Sequence, residues 1–138
     1  MKCLVIHWFF AVLAIAATAD VVAQPRRIDC ENPATNIEIG ACLDRELKAA
    51  DAELNRVYKA AMAAIERSDH LTPELRGEWK AALRAAQRLW ISYRDADCRT
   101  PIEYEWWGGS GVGMAILSCL LEKTKVRVSE LRERYDSR

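Results

Sequence analysis

Beyond an apolar run at its N-terminus, the hydrophobic positions of this chain recur at spacings of three and four, the period of a helix with one buried face. Ile39, Leu43, Leu47, Ala50, Leu54, Val57, Ala61 and Ile65 form a first stripe, which begins near Thr35 and stops near Ser68-Asp69-His70. Thr72-Pro73-Glu74-Leu75 then restarts a helix, with Thr as N-cap and Pro at the first helical position. Trp79, Leu83, Ala86, Trp90, Tyr93 and Asp97 make the second stripe, which frays past Cys98 because Pro101 disfavours helix in the residue before it. Gly108, Gly109, Gly111 and Gly113 mark a turn. From about Val112, Leu117, Leu121, Thr124, Val128, Leu131 and Tyr135 continue the alternation to the C-terminus. No strand-like alternation or internal repeat is present, so the pattern predicts an all-α fold, a small antiparallel bundle of three long helices.

The N-terminal run is of a different kind. Met1 and Lys2 precede apolar residues from Leu4 to Ala17, interrupted only at His7. These 14 residues fall short of the roughly 20 that a membrane-crossing helix needs. Small-residue cleavage patterns follow, Ala17-Thr18-Ala19 and Val21-Val22-Ala23, and the second is preferred. Residues 1–23 therefore read as a signal peptide and 24–138 as one helical domain of the periplasm or the cell exterior. Cys3 precedes the apolar run, whereas a lipoprotein cysteine follows it, so no membrane anchor is expected after cleavage.

Cleavage leaves four of the five cysteines, an even number that reads as a disulfide framework. Cys98 and Cys119 each lie ten residues from the Gly108-Gly109 turn, at one height in a hairpin, which leaves Cys30 and Cys42 to each other. Cys42 and Cys98 are also symmetric about Asp69-His70, so a bridge between the first two helices is geometrically possible and stays open as the lesser alternative.

Charge narrows the partners. With 20 basic and 20 acidic side chains, the chain has no global field to recruit nucleic acid or an anionic membrane. From Asp29 to Asp69, however, nine acids face five bases.

Catalytic constellations fail on histidine. His7 leaves with the leader, and His70 alone, in a predicted turn, can supply neither a Ser-His-Asp site nor a zinc ligand set once the thiols are bonded. The GGSGVG run at Gly108–Gly113 follows a helix and lacks a Walker lysine, so it is no phosphate loop. Asp95 and Asp97 point about 200° apart on a helix and cannot act as an acid–base pair. No enzymatic activity, cofactor or metal is expected. Tyr104-Glu105-Trp106-Trp107 is different: three large aromatics beside a glycine turn suit protein recognition, or else one or both tryptophans cap the open end of the bundle, where one could cap the core while its neighbour stays exposed.

Cys30 with Cys42, Leu43, Ala50-Asp51, Leu54-Asn55, Tyr58, the run from Leu83 to Ala96 ahead of Cys98, and then Gly108-Gly109-Ser110, Cys119-Leu120, Thr124, Arg127 and Leu131 together resemble the LprI-like lysozyme-inhibitor family. The run from Leu83 to Cys98 is the most specific part. The resemblance implies export, a cysteine-bonded helical fold and inhibition of a lysozyme. Its cysteine pattern, taken with the hairpin symmetry, implies bridges Cys30–Cys42 and Cys98–Cys119. An inhibitor of a glycosidase with two cleft carboxylates would offer hydrogen-bond donors to them and aromatics to the sugar subsites, which makes Tyr104, Trp106, Trp107 and Ser110 the candidate partner-binding residues. The rival reading is an envelope or secreted interaction or stress protein with no effect on lysozyme.

Overall fold

The computed structural model describes residues 28–135; the expected leader and both cleavage patterns lie outside the described residues. Three long helices carry the architecture: α1 (Asn36–Glu66), α2 (Pro73–Asp97) and, after a short α3 (Thr100–Glu105), α4 (Val112–Tyr135). No strand occurs among the described residues. No helix among them is long and apolar enough to cross a membrane.

Local chemistry sets the boundaries. The Thr35 hydroxyl accepts from the Glu38 amide at 3.2 Å while the Glu38 carboxylate accepts from the Thr35 amide at 3.1 Å, a capping box that starts α1. Thr72 caps α2 in the same sense, with Pro73 in the first turn. α3 is an element that the hydrophobic pattern does not predict. Pro101 does break the chain after Cys98, but it then sits in the first turn of a new helix, where its missing N–H costs nothing.

Glu46 pairs with Lys125 and Glu53 with Arg132, both 79 residues apart, so α1 and α4 run parallel. α2 runs against both: Arg94 reaches Asp51, and Lys80 reaches Glu66. The helices form an up-down-up bundle in which α1 and α4 are the most extensively packed pair.

The apolar core fills one half of this bundle. Leu54, Val57, Ala61, Ile65, Leu83, Val128, Leu131 and Tyr135 make one buried cluster, with Trp79 and Trp90 partly buried against it. The other half is held by the two bridges, Cys30–Cys42 and Cys98–Cys119, with Cα separations of 5.7 and 5.5 Å. The Cys42–Cys98 alternative is thereby excluded. Each closed loop contributes about 3 kcal/mol on the chain-entropy estimate, at the end where burial is sparse. Ile39, Leu43 and Leu47 are only half-buried there.

The second stripe is rotated from its expected position. Ala86 and Tyr93 are exposed, while Gln87 is buried and Arg94 half-buried. Leu83, Gln87, Trp90 and Arg94 face inward, and Trp90 is half-buried, not enclosed. α2 meets α1 and α4 through side chains that carry hydrogen bonds, and an apolar count cannot see those.

Candidate functional site

The segment from Cys98 to Val112 joins α2 to α4 at the disulfide-bonded end. α3 ends in a Schellman motif: the Trp107 amide donates to the Tyr104 carbonyl at 3.2 Å, and the Gly108 amide to the Glu103 carbonyl at 3.4 Å. The position that this motif puts in the left-handed region usually holds glycine. Here it holds Trp107, at φ 49°, the one positive-φ residue other than glycine among the described residues. A side chain there costs roughly 1–2 kcal/mol. Trp107 is also 94 % exposed, so no packing offsets that cost.

The four candidate residues are brought to one end of the molecule, in two environments. Tyr104 is 78 % exposed and lines a surface hollow of about 640 Å³ with Trp107, Thr100, Glu103 and Gly108. Ser110 is exposed. Trp106 instead turns back onto the bundle, its ring lying so close to Gly111 that a Cβ there would overlap it. Trp106 also roofs a groove with Ile39, Leu43, Ile102 and Met114. Trp106 is still 47 % exposed, so all three aromatics present surface, Tyr104 and Trp107 the most.

Below this end lies a polar layer that the hydrophobic pattern did not reveal. Arg94 donates from Nη1 to Asp51 Oδ1 at 2.7 Å and to Thr124 Oγ1 at 2.9 Å, and its guanidinium stacks 5.3 Å from the Trp90 ring. Arg127 Nε donates to Gln87 Oε1 at 3.1 Å, and its guanidinium also lies over the Trp90 ring. The signal for this layer was present in the polar residues at three-and-four spacing from Leu83, namely Gln87 and Arg94. Asp51, Leu54, Asn55 and Tyr58 on α1 face Arg84, Gln87, Arg88, Ile91 and Arg94 on α2 across a groove of about 460 Å³. The two stretches on which the family resemblance rests therefore meet.

Titration is perturbed at the surface. The Tyr93 hydroxyl and the Asp97 carboxylate, which accept from Lys123 Nζ at 3.1 and 3.0 Å, hold the Lys123 ammonium above the ordinary lysine value. Arg56 first, then Arg132, holds Glu53 below the ordinary glutamate value, and Lys80 does the same to Glu66. Asp97, Cys98 and Cys119 cluster closely enough to suggest metal ligands, but both sulfurs are spent on their mutual bridge. His70 is exposed in the α1–α2 turn.

The family model described as Lysozyme inhibitor LprI matches residues 30–131, from Cys30 to the last turns of α4. The chain belongs to the LprI family. An uncharacterized Rhizobium meliloti (strain 1021) protein, R02472, is 36 % identical over 128 residues, 91 % of each chain. The uncharacterized Escherichia coli (strain K12) protein YecT is 28 % identical over 110 residues, 68 % of this chain and 60 % of its own. No solved structure matches. The family is described as inhibitory, and the two bridges of this LprI-family chain are the chemistry of an oxidising compartment.

Proposed function

We propose that this chain is an exported, non-enzymatic inhibitor that binds a lysozyme, with the Tyr104–Ser110 loop as the inserted element. One observation carries the choice of loop: Trp107 is held out into solvent, 94 % exposed, in a backbone conformation that disfavours it. Strain of this kind, with no packing reason, belongs to recognition sites more than to scaffolds. Trp107 and Tyr104 would occupy sugar subsites, and the Ser110 hydroxyl would donate to a cleft carboxylate. Glu103 and Glu105, both exposed beside them, complement a cationic enzyme and steer its approach. Export rests on the reading of residues 1–23 as a leader, cut after Ala23, that leaves 24–138 in the periplasm or outside the cell.

The test is a turbidity assay of cell-wall lysis by c-, g- and i-type lysozymes, titrated with the oxidised mature protein. Inhibition of at least one enzyme is expected, and Trp107→Ala should abolish it while leaving helical circular dichroism unchanged. No inhibition at micromolar protein would overturn the reading in favour of an envelope interaction protein. Inhibition untouched by Trp107→Ala would remove the loop from it.

A further inference from the structure

Arg84 and Arg88 sit one turn apart on α2, both exposed at the rim of the α1–α2 groove, and neither makes an ion pair among the described residues. Like charges at this spacing weaken a helix slightly. The one acid that lines the groove is already committed: Asp51 accepts from Arg94. Gln87, on the floor, adds direction. Arg127 Nε can only donate, so the atom it meets must be Gln87 Oε1, which leaves the Gln87 amide NH₂ as an unused donor. The free polar groups around the groove are therefore mainly donors, two of them guanidinium forks, set beside the apolar edge of Ile91.

We propose that this groove is a second binding site, which takes an acidic peptide segment in extended conformation. Guanidinium forks match carboxylates in bidentate geometry. Side chains one helical turn apart stand about 5–6 Å from each other at Cβ, close to the roughly 6.6 Å that separates alternate side chains on one face of an extended strand. The ligand that fits carries carboxylates at alternate positions, one for each arginine, with the intervening backbone over Gln87. The proposal is independent of the lysozyme reading, since the groove shares no residue with the Tyr104–Ser110 loop.

The experiment titrates acetyl-Glu-Ala-Glu-amide into the oxidised mature protein, followed by nitrogen-15 chemical shifts, with acetyl-Gln-Ala-Gln-amide and inorganic phosphate as parallel probes. The acidic peptide should saturate, shift the Gln87 side-chain amide, and weaken with added salt. The R84Q/R88Q double variant should bind about tenfold or more weakly, the scale of losing charge-assisted hydrogen bonds, with helical circular dichroism intact. Trp107→Ala should bind it as tightly as the parent. Equal binding of the neutral peptide, equal binding of phosphate, or unchanged affinity in R84Q/R88Q would each overturn the proposal. Lysozyme inhibition by R84Q/R88Q, measured alongside, separates failure of the groove from failure of the loop.

Discussion

Arg94 Nη1 lies 2.9 Å from the hydroxyl of Thr124, a side chain with no exposed surface that in turn donates to the Leu120 carbonyl at 2.7 Å. This contact ties α2 to α4, and the same guanidinium nitrogen reaches Asp51 on α1. One side chain thus fixes the relative height of all three long helices.

Arg94→Met should lower stability by about 2 kcal/mol, the range for charge-assisted hydrogen bonds lost from a partly enclosed site. Asp51→Asn should cost less, because Asp51 is 43 % exposed and water compensates. Urea denaturation of both variants checks the order, and equal losses would contradict a central role for Arg94.

Leu131, 2 % exposed in the apolar cluster, should cost about 2–5 kcal/mol on truncation to Ala. Trp90→Ala should fall near or below the bottom of that range despite its larger ring. That ring is half-buried, and its stacking on Arg94 and Arg127 contributes about 1 kcal/mol per contact. Thermal melts of the two variants read the difference.

Trp107→Gly should make the protein more stable, by about 1 kcal/mol, because glycine takes the left-handed position at the end of α3 without a Cβ penalty. On the proposed function the same change should abolish inhibition. A raised melting temperature with lost inhibition is the expected pair, and a lowered melting temperature would show that the tryptophan packs.

Stability should hold a plateau that declines at both extremes of pH. Glu53, Glu66 and Glu74 have folded pKa values below the ordinary 4.5, so their contribution is present above that value and is lost as pH falls below it. Lys123 is raised above the ordinary 10.5, so its contribution is complete below that value and is lost as pH rises through the folded pKa. All four are surface groups, so added salt should flatten both arms. Melting temperature against pH at low and high salt measures this.

The helices were legible because their boundaries rest on local signals. Thr35 with Glu38, Thr72 with Pro73, and the glycines after Trp107 each act within a few residues. The first and third stripes were legible because Leu54, Val57, Val128 and Leu131 are buried by apolar neighbours. The facing of α2 was not, because Gln87 and Arg94 point inward to meet partners from other helices, and nothing in a single stretch of chain announces such partners. α3 escaped because a helix of six residues built on Pro101 is too short to show a period. The division between Trp106 and Trp107 was open for a related reason: which of two adjacent rings turns back depends on Gly111, beyond the turn that follows them.

The shared direction of α1 and α4 decides how this molecule can be held. α4 starts beside the aromatic loop and finishes next to the first turns of α2, where the rings of Tyr135 and Trp79 stand 5.9 Å apart. Its 24 residues span about 36 Å at 1.5 Å per residue. A surface or partner that engages the Tyr135 end of α4 therefore stands at the far pole from Trp107, leaving that ring free to approach its target.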